Sequence, residues 1–182
     1  GVSIFSGTIN GLFGQLFNKG KLIEINELYT KLKSKFKDAF YIEIQRHGDK
    51  YESEFERFNL SKSLELEIPL IATNEVFYIN KDMHEAHDAL ICIKNKTYVN
   101  EKNRIRFSDQ HYLKTNTEMN ELFTDIPEAL ENNYNFPYRC SFRPLFSKPV
   151  LPNISSEKDG DANQILKKES LDGLKQKFIT VF

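Results

Sequence analysis

Apolar residues along this 182-residue chain recur with two periods, and the exchange between them predicts alternating strands and helices. Val2 to Phe5 reads as a short strand ended by the turn Ser6-Gly7. In the glycine-punctuated stretch that follows, Leu12, Phe13, Leu16 and Phe17 fall on one face of a short helix. From Leu22 to Lys37, Ile25, Leu28, Tyr29, Leu32 and Phe36 predict an amphipathic helix with lysines on its other side. Phe40 to Gln45 is the second strand, alternating around Glu43 and closed by Arg46-His47-Gly48. Tyr51 to Glu67 predicts a helix with Phe55, Phe58 (or Leu60) and Leu64 inward. Ile68 to Thr73 is a nearly continuous apolar run, the signature of a parallel strand covered on both faces. Strand, helix, strand, helix, strand implies right-handed βαβ units and a parallel sheet.

The second half is less regular. Asp82 to Ile93 predicts a helix with Met83, Ala86, Leu90 and Ile93 as its apolar stripe, and Asn95 to Arg106 reads as irregular. Ser108-Asp109-Gln110 supplies a cap or turn. Thr117 is a candidate N-cap, with Asn120 completing an imperfect capping box. Asp125-Ile126-Pro127-Glu128 opens a further helix with proline in its first turn. Pro137, Pro144, Pro149 and Pro152 break regular structure from Phe136 to Ser155, the best boundary in the chain. A polar linker, 157–162, leads to a lysine-rich helix over 165–178.

Composition narrows the function classes. With 40% hydrophobic and 28% charged residues the chain is globular in type. A net charge of -1 argues against a module that grips long nucleic acid through phosphates, so any DNA contact is expected to be local. Cys92 and Cys140 stand far apart and form neither a disulfide framework nor a zinc knuckle. No apolar run approaches the roughly 20 residues that span a bilayer, and a cytoplasmic location is expected. The start Gly-Val-Ser-Ile, without an initiator Met and inside an apolar run, leads to the expectation of a fragment, with processing or a cloning scar as the alternatives.

Three strings then carry a resemblance. Tyr41 to Gly48 (YIEIQRHG), Ile68 to Asn80 (IPLIATNEVFYIN) and Thr117 to Leu130 (TEMNELFTDIPEAL) resemble, in order and spacing, segments of the bacterial DNA polymerase III alpha subunits. Arg139-Cys140, Leu151-Pro152 and His87 also fall where that family has related residues, so the likeness covers roughly residues 1 to 178. The resemblance implies an α/β fold, part of a distorted TIM-like (PHP) barrel with parallel strands and crossover helices. It further implies three regions: residues 1–140 as the later part of the PHP domain, 141–164 as a Pro-rich linker, and 165–182 as the first helix of the polymerase region. A whole barrel of this type needs roughly 250 residues, so exposed strand edges are expected.

What the family chemistry requires can be compared with the residues. Active PHP domains hold divalent metals that neutralise phosphate and generate hydroxide. By resemblance, three ligand positions fall in this chain, at Thr8, Glu75 and Phe77. Active members carry Cys where Thr8 stands, and Asp-X-His where Glu75-Val76-Phe77 stands. Glu75 keeps a carboxylate; Phe77 has no lone pair to give. The expectation is a degenerate site with no metal and no catalytic or cofactor-binding residue. The alternative is a residual metal-dependent phosphoesterase or 3′–5′ exonuclease site with Glu75 and His47 as remnants. His84 and His87 share a helix face beside Asp82 and Asp88 and could ligate zinc, but no third ligand follows and a solvated face is expected. Glu43 reads as a hydrogen-bonded strand group.

The family's polymerase signature, Pro-Asp-x-Asp-x-Asp, is absent from the chain, so Mg²⁺ and nucleotidyl transfer belong to the parent polymerase site. The resemblance therefore implies a structural and docking PHP module of a DNA-directed DNA polymerase. Its expected partners are the proofreading exonuclease subunit and other DNA polymerase III subunits, with DNA reached through the parent protein and no membrane. The lysine-rich face of 165–178 is expected to be a solvated helix surface, with a duplex-DNA contact as the alternative.

Overall fold

Three parallel strands lie side by side in the order expected of consecutive βαβ units: β1 (Ile4–Phe5), β2 (Phe40–Ile44) and β3 (Leu70–Ala72). Ile4 stands opposite Phe40, and Ile42 and Ile44 opposite Leu70 and Ala72, in the computed structural model, which describes residues 2–150 and 161–181. The sheet is open, an arc compatible with part of an α/β barrel. Every residue of β2 except Glu43 is buried, so this central strand does not alternate. Helices α2 (Leu22–Phe36) and α3 (Glu52–Leu66) pack against it.

Between β1 and β2 run α1 (Leu12–Asn18) and α2 (Leu22–Phe36), and α3 (Glu52–Leu66) connects β2 to β3. Phe13 of α1 stacks on Tyr29 of α2 at 4.4 Å, while Leu12, expected on the same apolar face, is exposed. Another departure is in α3. Phe55 is buried as expected, but Leu64 points to solvent and Asn59 is buried instead. Leu64 is nine residues past Phe55, about two and a half turns, and so faces the opposite side. Asn59 is one turn from Phe55 and accepts a hydrogen bond from the buried Tyr29 hydroxyl at 2.7 Å. Burial raises the Tyr29 pKa well above its ordinary value despite a hydrogen bond with Ser6.

Beyond β3 come α4 (His84–Asn95), α5 (Asn116–Leu122) and α6 (Pro127–Asn135). Helix α5 starts before the predicted Thr117: Thr115 is the N-cap, and its N–H donates to Glu118 Oε2 at 2.7 Å while Glu118 N–H returns to Thr115 Oγ1 at 3.3 Å. Glu118 at N3 has the reach to close this box, and Asn120 is one methylene shorter. Pro127 opens α6 as its spacing predicted. Phe136–Arg139 makes a short 3₁₀ turn where an unbroken irregular stretch was expected, and Phe136 packs edge-on against Phe5 and Tyr41.

The outer edge of β3 is covered by α6. Asn132 and Asn133 of α6 donate their side-chain amides to the carbonyls of Leu70 and Ala72, at 2.8 and 2.7 Å. Two amides thus take the place of a neighbouring strand.

By contact, the chain divides into two units, Gly1–Ser141 and Phe142–Phe182. The second contains α7 (Ala162–Val181), where Leu166, Leu171, Leu174 and Phe178 are all exposed. Leu151-Pro152 and residues 157–160 of the expected linker lie outside the described residues. Among the described residues, no helix is long and apolar enough to cross a membrane.

Candidate functional site

The C-terminal ends of the three strands bring together most of the polar residues that the sequence singled out. Ser6, just past β1, accepts a hydrogen bond from Glu43 N–H at 3.0 Å through its hydroxyl, and Thr8 lies half-buried beside it. The Glu43 carboxylate accepts from the Thr73 hydroxyl and from Gln45 Nε2 at 3.2 Å. Glu43 is therefore the hydrogen-bonded strand group expected.

The turn after β2 is pinned by Glu52, the first residue of α3. Its carboxylate receives the backbone N–H of His47 at 2.9 Å and of Gly48 at 2.7 Å. Burial pushes the Glu52 pKa up, but hydrogen bonds from His47 and Gly48 outweigh it and hold the group below its ordinary range. On its other side, His47 Nε2 lies 3.0 Å from Asn74 Oδ1, and Asn74 donates to the Tyr112 carbonyl at 2.8 Å. Lys114 reaches the same Asn74 oxygen at 3.3 Å, and burial lowers its pKa.

Four rings then stack in a column. His47 lies on His111 with centroids 4.0 Å apart, His111 on Phe77 at 4.7 Å, and Phe77 on His87 at 5.2 Å, all within 21° of parallel. Phe107 meets Phe77 edge-on at 4.7 Å. His111 Nδ1 donates to the Glu75 carbonyl at 3.1 Å, which leaves the buried Nε2 as a bare acceptor with no hydrogen-bond partner among the described residues. Burial first, and His47 second, lower the His111 pKa, so the imidazole is neutral near pH 7.

The three positions Thr8, Glu75 and Phe77 do not form a common ligand set. Glu75 is exposed, and its carboxylate comes only to 4.0 Å from His111 Nδ1, whose proton is already given to a carbonyl. Phe77 fills the space between His87 and His111 with hydrocarbon. Among the described residues, no three His, Cys, Asp or Glu side chains gather in a way that could hold a metal ion.

Helix α4 reverses its expected orientation. The His/Asp face is turned inward: His84 Nε2 bonds the Phe107 carbonyl at 2.9 Å, His87 lies on Phe77, and Asp88 is buried. Met83, Ala86, Leu90 and Ile93, the expected core stripe, are all exposed. The cause is Asp88, whose carboxylate takes a bidentate pair from Arg104 at 2.5 and 2.7 Å, with the two side chains only 6% and 5% exposed. A buried, geometrically matched pair fixes which face of the helix goes in.

That pair sets an acid limit. The Arg104 guanidinium holds the Asp88 carboxyl below its ordinary range, so its stabilising contribution is present above the unfolded pKa of about 4 and lost as pH falls through the lower folded value. Urea unfolding at a series of pH values should show Asp88→Asn destabilised at neutral pH, with a flatter acid limb than wild type. Parallel acid limbs would remove Asp88 as the titrating group.

Sequence reading did not identify His111, Lys114, Arg104 or the Arg46 cluster, since none sits at a motif spacing. Arg46 joins the bidentate carboxylates of Glu56 and Asp125, at 2.5 and 2.6 Å at closest approach, and lies 4.8 Å over the Phe123 ring.

No protein-family model matches the chain. Among curated proteins it is similar to DNA polymerase III subunit alpha of Caulobacter vibrioides, 32% identical over 177 residues covering 97% of this chain and 16% of that protein. The corresponding protein of Rickettsia bellii is 36% identical over 94% of this chain and 15% of its own length. That of Pseudomonas aeruginosa is 30% identical over 97% of this chain and 15% of its own length. The chain thus spans about a sixth of the length of the relatives it matches.

Proposed function

We propose, from the premise that this chain belongs with the bacterial DNA polymerase III alpha subunits over the stretch it shares with them, that it serves DNA replication as a scaffold and docking module without metal chemistry of its own. The observation that carries the reading is the ring column. Phe77 stands between His87 and His111 where the family pattern places a ligand His. The residues present do not fit a divalent metal cluster. His111 Nε2, a buried imidazole nitrogen without a hydrogen-bond partner among the described residues, lies between the flat faces of Phe77 and His47, and Glu75 is turned to solvent. In this reading the parent polypeptide is a DNA-directed DNA polymerase of the cytoplasm whose Mg²⁺-binding aspartates lie elsewhere. The module docks the proofreading exonuclease subunit and supports the polymerase core.

Two measurements on a full-length polypeptide carrying this stretch test the reading. Zinc and manganese content should stay at background, and no chelator-sensitive 3′–5′ exonuclease activity should be present. The purified exonuclease subunit should be retained in a pull-down. Stoichiometric metal, with activity lost in Glu75→Gln, would overturn the metal-free part. Failure of the pull-down would overturn the docking part.

A further inference from the structure

We propose that the loop that follows α4, residues 96–106, is a contact site for single-stranded nucleic acid. The setting rests on the replication reading, but the binding is tested independently of exonuclease docking and metal content. The loop is irregular in sequence and nonetheless held firmly. Arg104, anchored on Asp88, also donates to the Val99 carbonyl from Nε and Nη2 at 3.2 and 3.0 Å. Glu101 closes the tip: its carboxylate accepts Tyr98 N–H at 2.9 Å, and its N–H donates to the Tyr98 carbonyl at 3.1 Å. One buried cation and one exposed carboxylate are thus spent on shaping the backbone.

What remains on the outside is cationic and aromatic. Lys94, Lys96 and Lys102 are exposed and, among the described residues, none of their side chains makes an ion pair or hydrogen bond. Arg106 is 58% exposed and reaches Asp88 only at 3.9 Å, a carboxylate already taken by Arg104. Amid these charges Tyr98 is 75% exposed and stacks on no other ring among the described residues. Cations that track phosphates beside an aromatic face open to a base are the two components of single-strand recognition. The lysines in and beside α2 lack this arrangement: Lys33 donates to the Glu67 carbonyl, Lys21 pairs with Glu24, and the ring among them, Phe36 under Lys35, is half-buried. Lys94 alone lies in the last turn of α4, so complementing the helix dipole does not account for Lys102 and Arg106.

Lys96 offers a way to separate binding from folding. It closes α4 in the left-handed region, φ 54°, where glycine is the favoured residue. Lys96→Gly should therefore raise the melting temperature while weakening binding.

The experiment is fluorescence anisotropy of a labelled oligothymidylate with the full chain. Its affinity should fall with salt at a log–log slope of about -2 to -3, from four cations at about 0.7 each. Lys94→Ala with Lys102→Ala should shrink that slope by about 1.4. Tyr98→Ala should weaken binding roughly 5- to 50-fold. Lys31→Ala with Lys35→Ala should leave both slope and affinity unchanged. The proposal is overturned by absence of binding at low salt, by equal affinity for polyglutamate, by tighter binding to duplex than to single strand, or by an equal loss in the Lys31/Lys35 variant. A more stable Lys96→Gly chain with unaltered affinity would remove Lys96 from the site.

Discussion

Gly14→Ala should destabilise the protein by on the order of 3 kcal/mol or more, although it replaces a glycine inside a helix. At an ordinary helical site the same change gains about 0.5–1 kcal/mol, because alanine loses less backbone freedom on folding. Here a Cβ would fall 2.1 Å from the carbonyl oxygen of Ile9, 2.3 Å from its carbonyl carbon and 2.4 Å from its Cα. All three are backbone atoms, and Ile9 is itself buried, so no flexible side chain can move aside. Relief requires pulling α1 away from the turn that precedes it, which unpacks Phe13 from Tyr29. Against a total stability of about 5–15 kcal/mol, such a loss is a large fraction. Urea unfolding measures it, with Gly173→Ala as the control. A Cβ added at position 173 of α7 would meet nothing within 4 Å outside its own helix backbone, so there alanine should be neutral or favourable. A Gly14→Ala chain as stable as wild type would contradict the close approach.

The second large effect is expected at Arg46. Hydrogen bonds to Asp125 and then Glu56 hold its guanidinium firmly protonated against the cost of partial burial. It also donates to the Leu122 carbonyl at 2.5 Å, tying the turn after β2 to the end of α5. Arg46→Met keeps much of the packing on Phe123 but leaves Glu56, 14% exposed, without its partner. Removing one member of such a pair costs about 3–5 kcal/mol when burial is complete, and about 3 kcal/mol is expected here because Arg46 is 20% exposed. Asp125 is 61% exposed, so Asp125→Asn should cost less than about 1 kcal/mol. Equal losses from the two substitutions would show that Glu56, rather than Asp125, is the dispensable partner.

The βαβ order was legible because the first three strands and their helices bury apolar side chains at clean periods. Ile25, Leu28, Tyr29, Leu32 and Phe36 announce α2 by spacing alone, and Ile68 to Thr73 announces β3 as an unbroken run. Helix α4 shows where that logic stops. Its strongest apolar stripe faces outward because Arg104, sixteen positions after Asp88, buries the acidic face instead. No periodicity within a helix can foresee a partner supplied by the next loop. Leu64 and Asn59 are the same lesson on a smaller scale, since Tyr29 on another helix supplies the reason to bury an amide. At the candidate site, Glu75 and Phe77 could be weighed from their own chemistry. The column that gives Phe77 its place needed His47 and His111, brought together from 64 positions apart by the turn after β2 and the segment before α5.

The amides of Asn132 and Asn133 lie 62 and 61 positions after the carbonyls of Leu70 and Ala72 that they occupy. On a ribosome adding about 5–20 residues per second, that separation is a delay of roughly 3–12 s between the emergence of β3 and of its cover. During that interval the nascent chain carries bare strand carbonyls, and it can pair with a neighbour on the same message or be held by a chaperone. Slowing translation between codons 73 and 132 should lengthen the vulnerable interval without altering the finished protein.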